Sequence, residues 1–384
     1  MKESANYRKF VSRMKILLLG EYSHVHWTLA EGLRQLGHTV TVVSDGDVWK
    51  NYPRDIDLRR KGTGKLGGLR YWADVWRLMP KLKDYDVVQL INPVFLSLKA
   101  ERIGPFYRRL RRQNRSMFLG AFGMDHYWVK AGMDCHTFRY SDFNMGARVR
   151  ENADNAIWIA DWLEGAKGKL NVEIARDCDG IVSGLYEYDA AYRPYYSEKL
   201  QYIPFPINIA SLSTKQPRRE GKVKCFIGVQ RGRSAYKGTD IMLKALERVR
   251  QAFPDVCETV RVESVPFAEY ERLMNGSDIL LDQLYSYTPA RNALLAMGKG
   301  LVVVGGGEPE NYTILGEEEL RPIVNVEPNE ESVYNALYQL MEQPEQVDML
   351  SRQSIEYVHR HHDHIRVAQQ YLDFWEKQMG KRGL

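Results

Sequence analysis

Cysteine is scarce in this chain: four thiols in 384 residues, Cys135, Cys178, Cys225 and Cys257, with no CxxC pair among them. This excludes a disulfide framework and supplies no zinc-type ligand spacing, so four buried, reduced thiols are expected. Long apolar runs are missing as well. The longest, such as residues 16–19 and 301–304, fall far short of the about 20 residues that a bilayer-spanning helix needs. No signal-peptide pattern opens the sequence, and a soluble, cytoplasmic protein is expected. There is no short-period repeat and no low-complexity segment. GxGxxG is absent after the first apolar stretch, where Gly20-Glu21-Tyr22-Ser23 stands instead, which argues against a nucleotide-dependent oxidoreductase.

Charge is nearly balanced overall, at a net +5, but it is unevenly placed. Residues 1–150 carry 27 Lys and Arg against 14 Asp and Glu, whereas residues 251–350 carry 5 against 18. The first part is therefore expected to be drawn to an anionic surface or ligand. Two basic clusters stand out: Arg59, Arg60, Lys61 and Lys65 in a Gly-rich stretch, and Arg108, Arg109, Arg111, Arg112 and Arg115 interleaved with Phe106, Tyr107 and Leu110. The second reads as a basic amphipathic helix, either a peripheral contact with an anionic membrane surface or a plain solvated face. No nucleic-acid motif accompanies either cluster, and no nucleic-acid partner is expected.

Short apolar runs alternate with amphipathic stretches. Strands are expected at 15–19, 39–43, 86–91, 117–121 and 179–183, with helices at 27–36, 69–82 and 100–112. The pattern restarts with strands at 222–227, 260–263, 278–281, 300–304 and 322–326, and with helices at 239–251, 267–274, 289–297 and 330–341. Two successive α/β halves with parallel sheets follow. Ile203-Pro204-Phe205-Pro206-Ile207 and the polar stretch behind it form the natural linker. The expected division is 1–207, 208–363 and a terminal helix at 364–384, with residues 1–13 a polar extension. Ile365, Ala368, Leu372 and Trp375 give that terminal helix one buried face.

The segment Phe226-Ile227-Gly228-Val229-Gln230-Arg231-Gly232-Arg233-Ser234-Ala235-Tyr236-Lys237-Gly238 is the most informative. A strand ends at Gly228, cations follow, and a helix opens after Lys237-Gly238. This layout suits either an anion such as a diphosphate or a solvated basic turn. Together with Met14-Lys15-Ile16-Leu17-Leu18-Leu19-Gly20, Leu36-Gly37-His38, Asp278-Ile279-Leu280-Leu281-Asp282 and Ala296-Met297-Gly298-Lys299-Gly300-Leu301-Val302-Val303, it resembles the GT-B glycosyltransferases. The likeness is to the retaining group called glycosyltransferase family 4, and it covers nearly the whole chain.

The resemblance implies two Rossmann-like domains facing across a cleft, the first for the acceptor and the second for a nucleotide-diphosphate sugar. The final helix would return to the first domain. Gly228, Arg231 and Lys237 would hold the donor's diphosphate, and Arg231 and Lys237 would stabilise it as it leaves, without metal and without a resident cofactor. The activity implied is transfer of a sugar, with retention, to an acceptor hydroxyl of a glycan or lipid-linked glycan. Two departures stand against this: the glutamates that such enzymes place eight residues apart are Tyr287 and Leu295 here. Thr288-Pro289 still reads as a helix start with a dipole end for phosphate. Glu308 or Glu310 could anchor the ribose, or form a plain acidic loop.

In the first half, Asp125 and His126 follow a strand in Phe122-Gly123-Met124-Asp125-His126, and are read either as catalytic contacts to sugar and acceptor or as a helix cap with a solvated His. Gly20, Glu21 and His24 stand at a strand end, where α/β sheets place ligands, and are candidate sugar or acceptor contacts. Asp45-Gly46-Asp47 and Asp177-Cys178-Asp179 spell DxD, and His359, His361, His362 and His364 cluster, but neither pattern is specific and no metal site is expected. The rivals to a transferase are a degenerate, non-catalytic binding protein, favoured by Tyr287 and Leu295, and a nucleotide-sugar epimerase, which would need cleft carboxylates.

Overall fold

The computed structural model describes residues 13–214, 221–229, 234–263, 265, 267–381 and 383. The polar stretch at 1–12 and the cations Arg231 and Arg233 lie outside them. The first sheet is entirely parallel, and its strands are β1 (Lys15–Leu19), β2 (Thr39–Ser44), β3 (Ile56–Asp57), β4 (Val87–Leu90), β5 (Ser116–Ala121), β8 (Gly180–Ser183) and β9 (Leu200–Tyr202). Their order across the sheet is β3-β2-β1-β4-β5-β8-β9. A small antiparallel hairpin, β6 (Asn144–Met145) and β7 (Arg148–Val149), stands apart. The second sheet, also parallel, runs β11 (Cys257–Glu263), β10 (Val223–Val229), β12 (Ile279–Leu281), β13 (Val302–Gly305) and β14 (Val324–Asn325).

Continuous apolar runs make these central strands because helices cover both faces. Ile16, Leu17, Leu18 and Leu19 are all fully buried, and so are Val302 and Val304. In each sheet the order reverses beside its opening strand, between β1 and β4 and between β10 and β12, and the C-terminal ends of parallel strands at such a switch point are where ligands bind.

Most expected elements stand within a few residues of their place. The helices Ala100–Gln113 and Glu330–Glu342 are examples. One start moves: the helix expected from Thr288-Pro289 runs Arg291–Gly298, with Ala290 at the N-cap position and no side-chain cap. Thr288 is instead held in the first half's grip, as described below. Cys178, Cys225 and Cys257 are buried, but Cys135, with φ +58 in a loop, is only half-buried, so four buried thiols become three. No helix among the described residues is long and apolar enough to cross a membrane.

The chain crosses between the halves twice. Ile207 and Asp363 form a parallel bridge there, with Ile207 N–H donating to His362 O at 2.7 Å and His364 N–H donating to Ile207 O at 3.1 Å. Beyond this seam the helix His364–Lys381 packs on the first half. Its Trp375 is fully buried against Phe118, with ring centroids 6.0 Å apart, and a Cβ at Gly32 would meet His364 O at 2.3 Å.

Candidate active site in the cleft

A cavity of about 1370 Å³ opens between the switch points of the two sheets, lined by both halves. From the first half come Ser23, His24, Thr28, Lys50 and Tyr52, and from the second come Gly228, Lys237, Tyr270, Asp282, Arg291, Asn292 and Lys299.

The loop after β1 is shaped by Gly20, at φ +82, where a Cβ would lie 2.3 Å from Ile91. Ser23 (φ 50) and His24 (φ 68) follow in left-handed conformations, which side chains other than glycine adopt at a cost of about 1–3 kcal/mol each. Glu21 is buried beneath them. Its carboxylate accepts from His26 N–H at 3.2 Å and Trp27 N–H at 2.9 Å, so it caps the helix Val25–Gln35, and burial pushes its pKa up to about 7. His24 does face the cavity, tilted against Tyr52 with centroids 4.7 Å apart. Burial, with Arg291 behind it, pulls its pKa down to about 3 and leaves a neutral imidazole.

Gly228, next to the last residue of β10, stands on the cavity wall, where a Cβ would sit 2.7 Å from Tyr270. Lys237 lines the same wall, half-buried. It is the largest influence opposing the burial that raises Asp282's pKa. Arg231, its expected companion, lies outside the described residues.

Arg291 is the cation that sequence reasoning missed. At the first position of its helix it donates from Nε to Ser23 O at 2.6 Å, from Nη1 to Pro206 O at 2.5 Å and from Nη2 to Thr28 Oγ1 at 3.0 Å. Burial pulls its pKa down to about 10, so it stays charged at neutral pH. A signal was present in the sequence: a cation at a helix N-terminus opposes the dipole and needs another reason to be there.

Three expected contacts are engaged elsewhere. Thr288 is buried, and the carboxylate of Glu187 accepts its hydroxyl at 2.5 Å, its N–H at 3.1 Å and Tyr287 N–H at 2.6 Å. These bonds hold the bend at 287–288 against the first half, and the helix opens only at Arg291. Glu310 pairs with Arg139 of the first half. Glu308 accepts from the same guanidinium at 2.8 Å, from Tyr140 and from Asn325.

Asp125 is fully buried and has both oxygens occupied, by Trp128 N–H at 2.9 Å and the Tyr192 hydroxyl at 2.7 Å. It caps the helix His126–Met133, and burial pushes its pKa up to about 6. The ring of His126 turns to Trp162 O at 2.8 Å. Neither residue lines the large cavity.

The carboxylates of both DxD pairs are engaged: Asp47 with Lys50 at 2.6 Å, Asp45 with the Ser97 hydroxyl, Asp177 with the Tyr107 hydroxyl and Asp179 with Arg111 at 2.8 Å. Among the described residues no group of three or more His, Cys, Asp or Glu side chains is placed to share an ion.

Two parallel α/β units facing across a cleft, with the terminal helix returning to the first, define the GT-B fold. Solved structures share it along nearly the whole chain. Sucrose-phosphate synthase from Thermosynechococcus elongatus matches with a TM-score of 0.60 at 13% identity, covering 96% of this chain and 100% of that one. HepE from Anabaena, in complex with UDP and glucose, matches with a TM-score of 0.58 at 13% identity over 95% and 100% of the two chains. The catalytic domain of starch synthase IV from Arabidopsis thaliana, bound to ADP and acarbose, matches with a TM-score of 0.55 at 11% identity over 96% and 100%. No family model matches the sequence, and no curated protein does.

Proposed function

We propose that the protein is a glycosyltransferase that moves a sugar from a nucleotide-diphosphate donor to an acceptor hydroxyl. The observation that carries this reading is the convergence of Gly228, Lys237 and Arg291 on one cavity at the switch points of both sheets. Similar folds hold UDP and glucose in HepE, and ADP and acarbose in starch synthase IV, which supports the same class of ligand here.

In the proposed reaction the bond from the anomeric carbon to the diphosphate breaks, a bond to the acceptor oxygen forms, and the acceptor's proton leaves. Negative charge gathers on the departing diphosphate. Lys237, with the fixed charge of Arg291 behind the loop Ser23-His24, opposes that charge, and Arg231 is assigned to the same role from the sequence alone. The reaction needs no resident cofactor and no metal on this reading, and the anomeric configuration is retained. Residues 1–207 take the acceptor, 208–363 the donor, and 364–384 bind the second half back to the first.

The acceptor is a glycan or lipid-linked glycan met at an anionic membrane surface. The helix Gly64–Leu78 supports that placement, with Leu66 83% exposed, Leu69 58% exposed and Trp72 on the same side, beside exposed Lys61, Lys65 and Arg70. The basic face of Ala100–Gln113, with Arg108, Arg109 and Arg112 exposed, adds charge of the same sign.

Titration with UDP and ADP tests the donor site. Lys237→Ala is expected to weaken binding of whichever diphosphate binds by about tenfold or more, the value of one lost charge-assisted contact. Unchanged affinity removes Lys237 from the site. A second reading, a non-catalytic binding protein, is favoured by Leu295 and Tyr287 at the places of the family's glutamates, with Leu295 on the cavity wall. It predicts diphosphate binding without turnover of any nucleotide sugar.

A further inference from the structure

Beside the large cavity lies a second of about 420 Å³, within the range of roughly 300–1,000 Å³ common for small-molecule sites. Its walls are aromatic: Trp128, Trp158, Trp162, Tyr22 and Tyr188, with the carboxylates of Asp142 and Asp154 among them. Asp154 lines both cavities, so the two adjoin. Tyr236, next to Lys237 in the chain, closes the wall from the second half and donates its hydroxyl to Asp142 at 2.7 Å.

The local backbone is built to place Trp162. Residues Ala160–Glu164 form a π-helical turn, a feature rare in proteins and frequent at functional sites. His126 holds it through the bond to Trp162 O, and Gly168 is required beneath it, since a Cβ there would meet that oxygen at 2.0 Å. Trp162 is 96% buried, and its indole N–H has no acceptor among the described residues. A buried donor without a partner destabilises the fold unless a ligand accepts from it. Trp128 is braced by Phe138 and Tyr188, with centroids at 5.3 and 5.7 Å, which fixes its plane.

We propose that this aromatic cavity is the acceptor subsite and that it takes a pyranose ring of a glycan. The proposal rests on the transferase reading and assigns its glycan acceptor a place and a bound ring. A pyranose presents an apolar C–H face, which suits the electron-rich faces of Trp and Tyr, and a rim of hydroxyls, which suits two carboxylates as acceptors and an indole N–H as donor. A ring held here lies beside the cavity lined by Lys237.

The test titrates maltotriose, cellotriose, chitotriose and mannotriose, and separately UDP and ADP, into the native chain and into Trp158→Ala and Trp162→Phe, by calorimetry and tryptophan emission. At least one trisaccharide is expected to bind and shift the emission. Trp158→Ala should weaken it about tenfold or more and Trp162→Phe several-fold, while nucleotide affinity stays within about twofold. Trp158 is only partly buried, so its variant remains informative if Trp162→Phe fails to fold. The inference is overturned if no trisaccharide binds, or if Trp158→Ala binds one as the native chain does. Loss of UDP or ADP affinity in Trp158→Ala also overturns it, and makes the cavity a nucleobase pocket. Trisaccharide binding that depends on Trp158, with no nucleotide bound by the native chain, upholds the cavity and overturns the donor reading instead.

Discussion

Glu21 shows how a residue can sit in the right place and do another job. Its carboxylate is raised from an ordinary 4.5 to about 7, chiefly by burial, while the two N–H groups it caps pull the other way. The folded state therefore holds the proton more tightly than the unfolded chain between about pH 4.5 and 7, and this group's contribution to stability falls as pH rises through that window. His24, His26 and His362, each pulled down to about 3 by burial, act with the opposite sign below 6.5, so the informative quantity is a difference. Thermal melts are expected to show the stability of Glu21→Gln relative to the native chain growing from pH 4.5 to 7 and levelling above. A constant difference would mean that the carboxylate is not perturbed. At this scale the sequence pointed to Gly228, His24 and Lys237, which line the cavity, because each stands near a strand's C-terminal end or at a helix opening. It offered Asp125 as a helix cap, but could not disclose that the second oxygen is filled by Tyr192, 67 residues away. Nor could it show that Thr288 and Tyr287 are held by Glu187, about 100 residues earlier.

Among the elements, the helix Gly64–Leu78 invites the most direct experiment. Leu66, Leu69 and Trp72 leave apolar surface in water next to Lys65 and Arg70, an arrangement that gains by burial in an anionic interface. Replacing Leu66 and Leu69 together by Ser is expected to lower co-sedimentation with phosphatidylglycerol vesicles by about tenfold or more, given about 1.5 kcal/mol or more per buried Leu, and to leave melting unchanged within a few degrees. Equal retention of both proteins removes this helix from any membrane contact. The central parallel strands were legible because unbroken Val, Ile and Leu runs have few other readings, whereas the short edge strands β3 (Ile56–Asp57) and β9 (Leu200–Tyr202) carry no such run and were not expected. The helices between β5 and β9 were not. His126–Met133 is nearly apolar all round, Tyr186–Tyr196 is crowded with tyrosine and carries Pro194 inside it, and the π turn at Ala160–Glu164 has no periodic signature. The second cavity is built from that stretch, so it stayed hidden with it.

At the scale of the molecule, contacts across the cleft outnumber what two loosely tethered units require. Arg139 reaches Glu308 and Glu310, Glu187 grips the 287–288 segment, Arg291 reaches Ser23 and Pro206, and Arg150 stacks 3.4 Å over Tyr285. Arg139→Ala is expected to cost about 1 kcal/mol in urea unfolding, a small value because its side chain is 54% exposed and its charge is screened. Small-angle scattering should show a larger radius of gyration if that pair holds the halves together, and an unchanged radius would assign the hold to Glu187 and Arg291. None of these pairs is visible in sequence, since each joins positions that only the closed cleft brings together.

The terminal helix also imposes an order on how the molecule is made. The last strand of the first sheet ends at Tyr202, yet the aromatic face around Phe118 is covered by Trp375, about 170 residues later. At roughly 5–20 residues per second of synthesis, that surface waits on the order of 10–30 s for its cover while the second half is still emerging. During biosynthesis the first half is an unfinished domain whose closing piece arrives only after the second half, a vulnerable interval that a chaperone holding this face would shorten or shield.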